Sequence, residues 1–127
     1  MSNAALTAFD HQKYLNLETY RRNGQAMPTP VWFVQDGDKL YVRTVKDSGK
    51  VKRVRNNPRV RVAPCEVRGE LKGPWLEARA ALVEDPATTR RVVELLNRKY
   101  GLMKRAFDLM GLFNRRDYAV IQIDVTQ

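Results

Sequence analysis

Thr44, Asp47-Ser48-Gly49-Lys50 and Arg53 lie within ten positions of one another and are the residue types that hold a phosphate. The run reads as a strand end, a turn and the first turn of a helix. Unpaired N–H groups at a helix start point at an anion, and the helix dipole adds favourable potential there. Gly49 lets an anion come close, Lys50 supplies charge, and Arg53, one turn along, brings a forked donor to the same phosphate or to a nearby carboxylate. Thr44 and Ser48 offer hydroxyls from either side. The glycine spacing ahead of Lys50 is not that of a nucleotide P-loop. Ser48 would equally cap a solvated basic helix, so the motif needs context.

The charge distribution supplies some. The chain has 127 residues, a net charge of +9 and a pI near 10.1. Ten basic residues (Arg43, Lys46, Lys50, Lys52, Arg53, Arg55, Arg59, Arg61, Arg68 and Lys72) face only Asp47, Glu66 and Glu70 in the same stretch, which therefore carries seven of the nine net charges. A concentrated field of this kind attracts an anion, whereas a diffuse excess mainly keeps a protein soluble.

Other chemistries are poorly provided for. One cysteine, Cys65, and one histidine, His11, cannot build a disulfide framework or a Cys/His zinc site, so no metal is expected. His11 precedes the first strand and reads as a surface residue, and Cys65, among apolar neighbours, reads as packing. No nucleophile–base pair is recognisable, and no catalytic residue is assigned. No apolar run approaches a membrane span and no signal-peptide pattern opens the chain, which predicts a cytoplasmic protein without a membrane partner.

The elements that must position these residues follow from periodicity. The length suits a single domain over 1–127, and 43% hydrophobic residues suffice for a core. Lys13 to Tyr20 alternates as a strand, Asn23-Gly24 signals a hairpin, and Pro28 to Gln35 reads as the second strand. Asp36-Gly37 turns into Lys39 to Val45, so these three strands are expected to form a meander. A short helix, Lys50 to Asn56, ends at Asn57-Pro58 with Val51 and Val54 inward. Arg59 to Cys65 and Trp75 to Glu84 alternate again. Asp85-Pro86 starts a helix through Tyr100, Gly101 breaks it, and Leu102 to Phe113 continues it with Met103, Ala106, Phe107 and Met110 on one stripe. Asn114-Arg115-Arg116 leads to the last strand, Tyr118 to Val125. Six short antiparallel strands with peripheral helices predict a mainly β, small closed or half-closed barrel. Such a barrel is too small to hold a bulky ligand inside, so the ligand is expected outside, covered by a second copy of the chain.

Several of these segments occur together in a known family. The strand 13–20, Asn23-Gly24, Pro28-Thr29-Pro30-Val31-Trp32-Phe33, Leu40-Tyr41-Val42-Arg43-Thr44, Ser48-Gly49-Lys50 and Asn57-Pro58-Arg59-Val60 resemble the pyridoxamine-phosphate-oxidase-like split β-barrel proteins. More narrowly they resemble the flavin/deazaflavin oxidoreductases of branch B, many of which use coenzyme F-420, an 8-hydroxy-5-deazaflavin. The likeness runs from about Tyr14 to Val125 and is densest between Pro28 and Val60. It implies a six-stranded antiparallel split barrel of the FMN-binding type. It also implies a homodimer with two cofactor sites at the interface, each built from both chains. By position, Ser48, Gly49, Lys50 and Arg53 would hold the cofactor phosphate with Thr44 beside it, while Pro30, Val31 and Trp32 would set backbone groups against the ring. The chain departs from the vitamin-converting oxidase that names the superfamily. It is shorter, has Pro-Thr-Pro-Val-Trp-Phe in place of a basic flavin-binding strand, and lacks the C-terminal Arg/His segment. Pyridoxamine phosphate is therefore not the expected substrate.

The resemblance leaves the cofactor open between F-420 and FMN. F-420 carries a phosphate and a tail of carboxylates, and Lys46, Lys52, Arg55 and Arg59 exceed what one phosphate needs, which favours it. A hydride carrier does the hard chemistry itself, so the protein need only orient ring and substrate. The expected function is hydride transfer from reduced F-420 to an unsaturated or conjugated small-molecule acceptor. An FMN-binding oxidoreductase of the same fold and a cofactor-binding protein without turnover are the alternatives. Nucleic acid is the weakest candidate partner: the basic stretch has no aromatic residue on which a base could stack, and no helix-turn-helix or zinc-finger pattern is present.

Overall fold

A computed structural model describes residues 4–109 and 118–126. A 3-10 turn, Ala4–Phe9, precedes β1 (Tyr14–Tyr20), β2 (Ala26–Val31), β3 (Val34–Asp36), β4 (Lys39–Val45), α1 (Gly49–Asn56), β5 (Arg59–Cys65), β6 (Leu76–Leu82), α2 (Pro86–Leu109) and β7 (Tyr118–Val125). All pairings are antiparallel, in the order β2-β1-β5-β6-β7-β4-β3. The architecture is a mainly antiparallel β half-barrel with two helices, as expected for a split barrel, but with seven strands rather than six.

The additional strand arises where one long strand was expected. Pro28 to Gln35 is interrupted at Trp32-Phe33, so β2 pairs with β1 at one end of the sheet order and β3 pairs with β4 at the other. The three segments are therefore two hairpins joined by a crossing, not a meander. At the break, side chains of α2 replace the ladder. The Tyr100 hydroxyl accepts from Phe33 N–H at 3.0 Å and lies 2.9 Å from Phe33 O and 2.8 Å from Lys13 O, and Lys99 Nζ donates to Phe33 O at 2.9 Å. Buried backbone groups leave a sheet only where such partners exist. The chain itself thus spans the split between the two edges.

Inward positions fill the barrel. Leu15 and Leu17 of β1, Leu40 and Val42 of β4, Val60 and Val62 of β5, Ala78 and Ala80 of β6, and Ile121 and Ile123 of β7 form one cluster with Phe33 and Val54. Phe9 closes on Phe33 edge to face at 5.8 Å. A second cluster, on the other side of the sheet, sets Val34, Tyr41 and Val120 against Val92, Leu96 and Tyr100 of α2. Trp32 stacks on Tyr100, centroids 4.3 Å apart and 7° from parallel. The helix break expected at Gly101 is present, with φ of 27°. The stripe through Met103, Ala106, Phe107 and Met110 concerns side chains outside the described residues, as do Asn114, Arg115 and Arg116.

Candidate functional site

α1 starts where β4 ends, and its first turn forms the corner where the phosphate-type residues meet. Ser48 caps the helix: its hydroxyl accepts from Val51 N–H at 3.4 Å and lies 3.3 Å from the Thr44 hydroxyl. Val51 and Val54 are buried, Val54 in the barrel core, which fixes the helix and leaves Gly49, Lys52 and Arg53 to line a groove. Arg53 Nε donates to Thr19 Oγ1 at 2.6 Å. The Arg53 guanidinium lies against Gly49, where an added Cβ would stand 2.6 Å from Nη1. Thr44, Ser48, Gly49 and Arg53 are thus joined by contact, with Lys50 beside them on the same helical turn.

The electrostatics are those of a site short of negative charge. Burial and the neighbouring Arg53 charge push the Lys50 ammonium below its usual range, and burial together with Arg21 does the same to Arg53. An open groove of about 540 Å³ beside this corner is lined by Arg21, Arg22, Gly49, Lys52, Arg53, Arg55 and Asn56, without an acidic residue. A second opening is lined by Arg21, Arg22, Asn56 and Asn57. An anion placed here relieves repulsion among fixed cations, and so gains more than it would at a neutral helix terminus. The donor set, the close approach at Gly49 and the unbalanced charge fit a phosphate group.

The surplus cations sort differently from their order in sequence. Lys52 and Arg55 do line the groove. Arg59 does not: it pairs with Glu77 at 3.3 Å and lies over the Tyr20 ring. Arg61 is held by the buried Glu18 at 2.7 Å, Lys72 lies 3.4 Å from Glu66, and Lys46 is exposed off the groove. In their place the β1–β2 turn contributes Arg21 and Arg22, which a count of charge over Arg43 to Lys72 passes over. The available signal was the basic doublet directly before Asn23-Gly24. Thr19 was legible only as one position of an alternating strand.

Pro30, Val31 and Trp32 sit apart from this corner. Across β1–β2, Pro30 faces Asn16 whereas Met27 faces Thr19, the partner of Arg53. Three strand positions separate the two places, roughly 10 Å. The Trp32 indole is engaged with Tyr100, and Phe33 is core. What this segment can offer a ligand is therefore backbone and the half-buried Pro30, since Val31 packs against the core. Cys65 is buried, and burial pushes its thiol up, in keeping with a packing role. Among the described residues no helix is long and apolar enough to cross a membrane.

A family model described as pyridoxamine 5'-phosphate oxidase matches residues 1–127. No curated protein matches the chain. Among solved structures, the fold resembles the heme storage protein HutZ of Vibrio cholerae (19% identity, TM-score 0.72, covering 100% of this chain and 92% of that one). It also resembles an F-420 reductase (20% identity, TM-score 0.64, covering 100% and 97%). A third likeness is to a FAD-binding protein of Mesorhizobium loti (18% identity, TM-score 0.62, covering 97% and 86%). At such identities the likeness concerns the fold alone, and the bound groups of these three proteins differ.

Proposed function

The chain belongs to the pyridoxamine 5'-phosphate oxidase family, and on that premise we propose that it binds a phosphorylated flavin-type cofactor and acts as an oxidoreductase, with coenzyme F-420 as the preferred carrier. The observation that carries this reading is the acid-free groove in which Gly49, Arg53, Lys52 and Arg55 of one helix meet Arg21 and Arg22 of the first hairpin. A phosphate at Ser48, Gly49, Lys50 and Arg53, with Thr44 beside it, leaves Arg21, Arg22, Lys52 and Arg55 to further negative groups of the same ligand. F-420 has such groups. FMN meets the phosphate corner equally and lacks them.

When bound, the cofactor supplies the hydride. The chain's own residues orient it: the first turn of α1 fixes the phosphate, and the end of β2 at Pro30 and Val31 lies roughly 10 Å along the strand, where backbone groups can meet the ring. A conjugated or unsaturated small molecule is the proposed acceptor. The groove is open to one side, and a second copy of the chain is proposed to cover it, giving a homodimer with two shared sites.

Titration with F-420 and with FMN, followed by fluorescence quenching, tests the assignment. Tighter binding of F-420, with an advantage that shrinks as salt rises, supports it. Equal and weak binding of both would remove the preference. A sedimentation mass of one chain at micromolar concentration would remove the dimer.

A further inference from the structure

A groove between β3 and α2 carries positive charge that the fold does not balance. It is open, measures about 270 Å³, and is lined by Val34 and Gln35 of the strand and by Leu95, Arg98 and Lys99 of the helix. Lys99 Nζ donates to Phe33 O at 2.9 Å and stands over the Phe33 ring, 3.4 Å from its centroid. Both partners are neutral. An ammonium has three donors, and among the described residues only this one is used. Nor does any described carboxylate form an ion pair with Lys99 or Arg98: Asp36 of β3 is taken by Arg91 at 3.4 Å, and Glu94 of α2 pairs with neither cation. Burial pushes the Lys99 ammonium down to about 8, the mark of a charge drawn from water without a counter-ion. A partly buried charge is ordinarily paired, so the partner missing from this groove is an anion.

The lining gives that anion a chemical class. The Arg98 fork and the Lys99 point charge suit a carboxylate, and Val34 and Leu95 offer an apolar wall beside them. The volume lies just below the usual range of ligand pockets, about 300–1,000 Å³, which suits one ring or a short chain and not a flavin or a nucleotide. The groove is separate from the phosphate corner and shares no residue with the groove there. Val34 and Gln35 pair with Tyr41 and Leu40, whereas Thr44 stands three and four positions further along β4, roughly 10 Å or more away.

We propose that this groove is a second ligand site, which takes a small carboxylate with an apolar body: the carboxylate on Lys99 and Arg98, the body against Val34 and Leu95. The Tyr100 hydroxyl also lies 2.9 Å from Phe33 O, so Lys99 can turn toward a ligand without leaving that buried carbonyl unpaired. The proposal does not depend on which cofactor the phosphate corner holds.

The test titrates benzoate, benzamide and acetate into the full chain and follows backbone amide shifts by NMR. Benzoate should give saturable shifts centred on Val34, Gln35 and Leu95. Benzamide, which lacks the charge, and acetate, which lacks the apolar body, should each bind about tenfold more weakly or worse. Benzoate affinity should fall as pH rises through about 8, where the Lys99 ammonium is lost. Arg98→Gln and Lys99→Met should each weaken benzoate about tenfold, with melting curves confirming that both are folded, and Lys99→Met should also abolish the pH dependence. The comparison of ligands and the pH series need no variant, so they stand even if Lys99→Met fails to fold. Absence of saturable shifts, shifts confined to Ser48 to Arg53 and Arg21, equal affinity for benzamide, or unchanged benzoate affinity in both variants would each overturn the proposal.

Discussion

Arg53 Nε and Thr19 Oγ1 lie 2.6 Å apart, and Thr19 is wholly buried at the end of β1. An arginine on a surface helix ordinarily samples many rotamers, and ordering it costs up to about 2 kcal/mol of side-chain entropy. The Thr19 hydroxyl meets that cost before any ligand arrives, leaving the terminal nitrogens for an anion. Thr19→Val keeps the strand's shape and removes the acceptor. The affinity for a phosphorylated cofactor should fall about 3- to 10-fold by titration, and Thr19→Ser should restore it. An unchanged affinity in Thr19→Val would show that Thr19 does not pre-order Arg53 for the ligand.

Gly49→Ala separates stability from binding. Gly49 is the first residue of α1, where alanine gains less over glycine than the roughly 1 kcal/mol of a helix interior, and the atom in its way, Nη1 of Arg53 at 2.6 Å, is the far end of a long side chain. The fold should therefore be unharmed or slightly more stable in thermal melts. The guanidinium, however, must leave its place against the helix start, and cofactor affinity should drop about tenfold or more. Parallel losses of melting temperature and affinity would mean that Gly49 serves the fold instead.

Most of this corner was legible in sequence, because a cap, a glycine and two cations at helical spacing are local features. The hairpin at Asn23-Gly24 and the alternation over Lys13 to Tyr20 were legible for the same reason. What escaped was non-local. Arg21 and Arg22 belong to the groove only because β1 and α1 meet at one end of the barrel, and Arg59 leaves it because β6 sets Glu77 beside it. The split of the second strand was hidden because Val31-Trp32-Phe33-Val34 has strand propensity throughout. Its break is imposed by the Tyr100 hydroxyl, 67 positions along the chain from Phe33.

That hydroxyl meets Phe33 N–H, Phe33 O and Lys13 O at once. Burial pushes the Tyr100 phenol strongly up, so it stays protonated. Tyr100→Phe retains the Trp32 stack but leaves the buried Phe33 N–H without its acceptor, a loss of roughly 1–3 kcal/mol. The melting temperature should fall by several degrees. A variant as stable as the parent would show that the strand break is set by the ring stack alone.

Glu18 makes the fold sensitive to acid. The carboxyl is 5% exposed and accepts from Arg61 Nε at 2.7 Å and from the Tyr20 hydroxyl at 2.8 Å. Burial works against its ionisation, but these hydrogen bonds and the Arg61 charge outweigh that and hold it below the usual value of 4.5. The unfolded chain thus takes up the proton first as pH falls. The stabilisation is complete above pH 4.5 and disappears as pH drops through the lower, folded value. Because Arg61 is about a third exposed, the effect should be modest, about 1 kcal/mol. Denaturant melts from pH 7 to pH 3 should show the parent losing more stability than Glu18→Gln, whose amide still accepts from Arg61 but does not titrate. Arg61→Met, which leaves the buried carboxylate without its cation, should cost roughly 2–3 kcal/mol at pH 7 and much less at pH 3. Identical pH profiles for the parent and Glu18→Gln would show that acid sensitivity resides elsewhere.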